Sequence, residues 1–254
     1  MWKVIRASVA GTSHAIGDRP CQDDCFADVV HSSQGADYLV CVVSDGAGSA
    51  AEGGKGSEMA CVTARTCIEA ALRDLGPNRL ESALVEGWIS EIRRVIGEAA
   101  ERRGLTVRDY ACTLLGAVVG PGQALFFQIG DGAMVAACGC AQGVVFWPDS
   151  GPYANMTYFV TDDEAFSRLQ VVVASVQIDE LALFSDGIQR LALSFEQQSP
   201  YAPFFEPMLN VLRALEPGDC DVYDERLASF LNSQAINERT DDDKTLVIAT
   251  RRTS

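Results

Sequence analysis

Acidic residues sit at five places where an apolar stretch stops: Gln22-Asp23-Asp24, Asp45-Gly46, Asp131-Gly132, Asp186-Gly187 and Asp241-Asp242-Asp243. Alone, an Asp-Gly pair reads as a turn, because both residues tolerate positive φ. Two of these pairs resist that explanation. Leu-Val-Cys-Val-Val-Ser-Asp45-Gly46 and Leu-Ala-Leu-Phe-Ser-Asp186-Gly187 are near-copies in which a fully apolar strand ends at Ser-Asp-Gly. Glycine-rich sequence follows the first and helical sequence the second, so neither is a two-residue hairpin. An aspartate at the tip of a buried strand is rigidly held, and burial raises its pKa unless a cation keeps it ionised. Several such tips meeting in space would suit a hard divalent ion, Mg²⁺, Mn²⁺ or Ca²⁺, all of which take oxygen ligands. The chain has only two histidines, His14 and His31. That removes Ser-His-Asp triads and multi-histidine metal sites. His14, in Gly-Thr-Ser-His beside the first acidic cluster, reads equally as a site residue or a buried polar one; His31 lies in a polar loop.

The elements that would position these tips follow from apolar periodicity. Residues 38–44 form a continuous β-branched run, predicting a buried strand. From Ser57 the spacing changes to three and four through Met59, Ile68, Leu72 and Leu75, with Gly76-Pro77 as the stop. A second helix carries Leu80, Leu84, Trp88, Ile92 and Ile96 on one face. Strands are predicted at 113–119, 124–129, 134–137, 143–146, 169–173, 180–185 and 245–250, with a short helix after Gly187 and longer ones at 204–215 and 224–231. The close spacing of 113–146 predicts antiparallel hairpins joined by Gly-Pro-Gly, Gly-Asp-Gly and Cys-Gly-Cys. Pro-containing 198–207 is expected to be a surface excursion. The segment 153–163 is expected to be an irregular loop with its own anchors, Tyr153 and Phe159, rather than a flap. This order of elements predicts an α+β fold of antiparallel sheets with helices outside, in one domain spanning 1–254.

Composition narrows the partners. Asp and Glu number 35 against 20 Lys and Arg, a formal charge of −15, which disfavours nucleic acid and anionic membranes. Three of the 20 cations are Lys (Lys3, Lys55 and Lys244), leaving 17 Arg, the side chain whose planar fork suits phosphate. Arg93, Arg94, Arg102 and Arg103 lie on predicted helix faces and are expected to form surface ion pairs. Nine cysteines, mostly within apolar segments, fit a reduced interior rather than a disulfide framework. With no signal-like or membrane-spanning apolar run, a cytoplasmic monomer is expected.

The ordered set Gly11-Thr-Ser-His, Pro20-Cys-Gln22-Asp23, Ser44-Asp45-Gly46-Ala47-Gly48, Cys112-Thr113, Gly130-Asp131-Gly132, Ser185-Asp186-Gly187 and Asp242-Asp243-Lys244-Thr245 resembles the PPM family of metal-dependent Ser/Thr protein phosphatases, type 2C, in its compact bacterial branch. The resemblance implies an α-β-β-α four-layer sandwich. It also implies hydrolysis of phosphoserine and phosphothreonine in proteins by a metal-activated water at a binuclear Mn²⁺ or Mg²⁺ centre. Asp45 would bridge the metals, with the Gly46 carbonyl completing one of them and Asp186 and Asp242 holding the other. Asp23 belongs to the same ligand set, and Asp131 would serve a weaker third ion near Thr113. Arg19 and His14 would face the phosphate, Arg19 standing one residue closer to the acidic pair than the family's arginine. Gln22 replaces the family's usual Glu, so Asp23 or Asp24 compensates or the second metal binds more weakly. Ala47 replaces a histidine that some members use as general acid, leaving His14 or a metal-bound water to protonate the departing alkoxide. A catalytically weak relative acting as a phosphoprotein-binding module is the alternative.

Overall fold

The computed structural model describes residues 1–17, 19–74, 80–148, 157–216 and 220–252. Gly76-Pro77 and Tyr153 lie outside the described residues. The strands, in chain order, are β1 (Lys3–Val9), β2 (Asp24–His31), β3 (Asp37–Ser44), β4 (Leu114–Val119), β5 (Ala124–Ile129), β6 (Ala133–Cys138), β7 (Ala141–Val144), β8 (Gln170–Ala174), β9 (Glu180–Phe184), β10 (Leu193–Ser194), β11 (Ser199–Pro200) and β12 (Lys244–Thr250). One sheet has the order β2-β3-β4-β5-β8 and the other β1-β12-β9-β6-β7, with β10 and β11 a separate hairpin; all pairings are antiparallel.

Alternation along the strands sorts side chains into layers. In β3, Val40 and Val42 face a layer built with Ile68, Ile89, Ile92 and Ile96 of two helices, α1 (Gly53–Asp74) and α2 (Ala83–Arg103). Leu39, Cys41 and Val43 turn the other way, onto Leu181, Leu183 and Val247 of the facing sheet. On the far side, Ile248 and Phe184 pack on Phe205, Leu209 and Leu227. These last come from α5 (Ala202–Ala214) and α6 (Asp221–Leu231); the single-turn helices α3 (Ala165–Arg168), α4 (Gln189–Ala192) and α7 (Gln234–Asn237) complete the set. The predicted α-β-β-α sandwich is therefore observed. Both sheets are covered on both faces, which is why their central strands read as unbroken apolar runs.

Four expectations are corrected. The Gly-Asp-Gly at 130–132 is not a hairpin: β5 pairs with β4 and β8, whereas β6 pairs with β7 and β9. The junction carries the chain from one sheet to the other. Residues 198–207 are no excursion, since Pro203 sits in the first turn of α5, where no helical N–H is needed, and Phe205 is buried. Strands β1 and β2 were not anticipated. In β1 the charges Lys3 and Arg6 hide the alternation, yet both are satisfied internally: Lys3 Nζ donates to the Arg213 carbonyl at 2.6 Å, and Arg6 donates to the Ala27 carbonyl. Arg94 pairs with Glu91 and Glu98 and Arg103 with Glu52, but Arg93 donates to the carbonyls of Val160 and Asp162, tying the 157–163 loop to α2.

Candidate active site

Ser44-Asp45-Gly46 emerges from β3 and is locked by Thr113. Ser44 Oγ donates to the Thr113 carbonyl at 2.6 Å, the Asp45 N–H donates to Thr113 Oγ1 at 3.0 Å, and the Thr113 N–H returns to the Asp45 carbonyl at 2.8 Å. The Gly46 N–H donates to the Gln22 carbonyl at 3.1 Å. A Cβ on Gly46 would stand 2.4 Å from the Gly53 backbone, so only glycine lets this turn pack against the start of α1. From the other sheet, β9 delivers Ser185-Asp186-Gly187 into a 3-10 turn. A Cβ on Gly187 would lie 1.9 Å from the Asp243 carbonyl oxygen, which is how the Asp186 turn closes on the 242–243 segment entering β12. Asp131 arrives by the crossover between sheets; Gln128 Nε2 bridges the Gly130 and Gly132 carbonyls at 3.0 and 2.9 Å, and the Gln189 amide donates to the Asp131 carbonyl.

These ends open onto one cleft of about 1060 Å³, whose lining includes Asp45, Gly46, Thr113, Asp131, Asp186 and Asp242. Burial pushes the Asp45 carboxyl well above its ordinary range, with Asp23 and Asp186 adding repulsion. Asp186 is pushed up to about 6 by burial and by the charges of Asp131 and Asp242. Burial raises Asp131 too. Such a group cannot all be ionised without a counter-charge.

The donor set fits a hard divalent cation. Asp186 Oδ1 is buried with no protein partner, and the carboxylates and the Gly46 carbonyl are all oxygen donors. Among the described residues no three carboxylate, imidazole or thiol groups converge on one ion position. Asp45 and Asp186 lie within hydrogen-bonding reach of each other, and Mg²⁺-like ions take one or two carboxylates and retain several waters.

Other expected residues are placed differently from one another. Gln22 and His14 line the cleft. His14 Nδ1 lies 3.1 Å from Asp243 Oδ1 and 3.2 Å from the Pro20 carbonyl. Asp23 lies beneath the wall, its Oδ2 accepting from Ser185 Oγ and Thr245 Oγ1, each at 2.7 Å. Burial pushes it up to about 7 despite those two hydrogen bonds. Asp24 is corrected: it heads β2, its neighbours are Cys61, Glu58 and Arg6, and it does not line the cleft. Arg19 is exposed and is not among the residues lining the cleft. The guanidinium groups that do line it are Arg190 and Arg239, which sequence reasoning missed. Arg190 follows Asp186 by four residues and Arg239 precedes Asp242 by three, so proximity to the Asp motifs was the available signal. Asp243, Gln189, Trp147 and Phe195 were missed too. From the 153–163 segment, of which 157–163 are described, Thr157 and Phe159 reach the cleft, and the Phe159 N–H donates to Asp162 Oδ2 at 2.8 Å.

A family model described as Protein phosphatase 2C matches residues 10–232. The serine/threonine-protein phosphatase 3 of Escherichia coli (strain K12) is 41% identical over 248 residues, spanning 98% of each chain. Among solved structures, a bacterial serine phosphatase aligns over 100% of this chain and 99% of its own with a TM-score of 0.65 at 15% identity. The catalytic domain of the serine/threonine protein phosphatase PstP in complex with 2 manganese ions aligns over 98% and 97%, with a TM-score of 0.63 at 15% identity. At such identities the structures report a shared fold, whereas the family model and the full-length relative report descent. The chain belongs to the protein phosphatase 2C family and is a serine/threonine protein phosphatase.

Proposed function

We propose that the chain hydrolyses phosphoserine and phosphothreonine in proteins with two divalent cations, Mn²⁺ or Mg²⁺, held at the floor of this cleft. The observation that carries the proposal is the meeting of Asp45 and Asp186, from opposite sheets, with Asp131 and Asp242 beside them and too much negative charge for the burial they share. Asp45 and the Gly46 carbonyl would hold one ion, Asp186 and Asp242 the other, and Asp131 a weaker third. When bound, such a pair lowers the pKa of water toward neutrality and offsets the charge of the phosphate dianion.

The chain's own residues then orient and protonate. Thr113 fixes the Asp45 backbone and Gln189 the Asp131 backbone, so neither carboxylate has to reorganise during turnover. The aspartates act as ligands, and no protein nucleophile is required. With His14 Nδ1 directed at Asp243 and Pro20, Nε2 is the nitrogen that would give a proton to the departing alkoxide when the ring carries protons on both nitrogens. Arg190 and Arg239 supply local positive charge against a chain of −15. We place the activity in a single domain, 1–254, acting as a cytoplasmic monomer; no helix among the described residues is long and apolar enough to cross a membrane.

The test is phosphate release from a phosphoserine peptide by purified protein titrated with Mn²⁺ and Mg²⁺, beside Mn²⁺ calorimetry without substrate. Release that rises with either ion and stops in EDTA is expected, with more than one Mn²⁺ bound per chain. Undiminished release in EDTA would overturn the proposal.

A further inference from the structure

A phosphorylated side chain occupies a fraction of a cleft of about 1060 Å³, the size that takes a whole drug-sized ligand. Beyond the carboxylates the lining changes character. Trp147 and Phe195 meet edge to face with ring centroids 5.4 Å apart and planes at 79°, next to Pro148 and Leu191. The rings come from different elements. Trp147 follows β7 and is held by the apolar layer between the second sheet and α5 and α6. Phe195 stands on the turn of the β10-β11 hairpin, where Leu193 pairs with Pro200 and Ser194 with Ser199, and remains 50% exposed.

Leaving a phenylalanine half in water is unfavourable. The turn that presents it contains Gln198 at φ 48°, the only non-glycine residue at positive φ among the described residues, a conformation disfavoured for L side chains. Two local costs thus coincide at the mouth of one cleft. Arg190 and Arg239 line the same cleft, and neither guanidinium makes an ion pair among the described residues. A chain whose net charge repels phosphoproteins therefore keeps two uncommitted cations beside an exposed aromatic pair.

We infer that this wall is a subsite for the segment of phosphoprotein adjoining the phosphorylated residue, with a bulky apolar side chain seated on Trp147 and Phe195 while Arg190 and Arg239 face the phosphate-bearing residue. The inference rests on the phosphatase activity proposed above and adds a substrate preference to it. Such an apolar contact discriminates by roughly tenfold in kcat/KM.

The test uses two phosphoserine peptides that differ only in carrying Leu or Gly on both sides of the phosphoserine. Wild-type protein with Mn²⁺ is expected to favour the Leu peptide about tenfold, and Phe195→Ala to bring the ratio close to one. The ratio is internal to each variant, so a change in folded fraction cancels. Val222→Ala, exposed on α6 and outside the cleft lining, should keep the wild-type ratio. Equal rates on the two peptides in wild type, or an unchanged ratio in Phe195→Ala, would overturn the subsite and leave the phosphatase standing. Release from neither peptide would remove the phosphatase activity and the subsite with it.

Discussion

Two groups of carboxylates share one end of the sandwich and are treated oppositely. In one group Asp243, itself part of the cleft lining, accepts the Gly11 N–H at 2.7 Å on Oδ1 and the Gln22 N–H at 2.6 Å on Oδ2, with His14 at 3.1 Å, while Asp23 beneath it accepts two hydroxyls. On the cleft floor, Asp45 and Asp186 face each other, and Asp186 Oδ1 has no partner. The first group is supplied with donors and stitches the amino-terminal segment to β12. That supply is incomplete on Asp23, whose Oδ1 is buried without a partner and whose charge is opposed by Asp243 and Asp186; Asp45 and Asp186 carry repulsion with no hydroxyl donor on either carboxylate among the described residues. Burial alone therefore does not mark an acid as a proposed cation ligand; the two groups differ in the hydroxyl and backbone donors around them.

The contrast is broken most directly on the cleft floor. Asp45→Asn or Asp186→Asn should lower phosphopeptide kcat/KM by more than about 100-fold, beyond the usual effect of outer-shell changes around a metal. The same variants should unfold in EDTA at a temperature no lower than wild type, because a repelling charge has been removed. Turnover within a few-fold of wild type would show that these carboxylates are not the working ones. At Asp243 the expectation reverses: Asp243→Ala strands two backbone N–H donors and the His14 ring, and should cost roughly 3 kcal/mol in urea unfolding. A loss below about 0.5 kcal/mol, ordinary for a surface change, would erase the distinction drawn between the two groups.

The smallest effect concerns pH. Asp186 at about 6 and Asp23 at about 7 are both raised from 3.8. An acid raised on folding binds more protons in the folded state, so its contribution is fullest below the ordinary carboxylate range and is lost as pH rises through the folded value. In EDTA, thermal unfolding midpoints should fall as pH climbs from about 5 to about 8, and saturating Mn²⁺ should flatten that slope. A midpoint that rises with pH in EDTA would contradict the origin assigned to these shifts.

Much of this was legible in the chain. Ser-Asp-Gly after an apolar run marked both strand tips, because a strand buried on two faces has no room for polar residues until it leaves the core. Antiparallel sheets with helices outside followed from the order of the elements, and the four-layer stack from the family resemblance. What failed was information that local sequence does not hold. Gly130-Asp131-Gly132 has the composition of a hairpin turn, and only pairing partners distant in the chain make it a bridge between sheets. Lys3 and Arg6 disguised an edge strand because their partners, the Arg213 and Ala27 carbonyls, lie 210 and 21 residues away. Arg19 stands near the right motif yet is outside the cleft lining, while Arg190 lines it from α4 and Arg239 from just beyond α7. Asp241, Asp242 and Asp243 all line the cleft, and nothing in the sequence says that Asp243 is the one that also meets backbone N–H groups.

Asp23 enters on the strand system of one sheet, and the hydroxyls it binds, Ser185 and Thr245, belong to the other. The hydrogen bonds thus act as a rivet through the two leaves close beneath the cleft. Any sliding of one leaf over its neighbour would shear that rivet and separate Asp45 from Asp186 in the same movement. Heat should consequently abolish turnover and the folded layers at a single midpoint, with no half-assembled form retaining a working cleft.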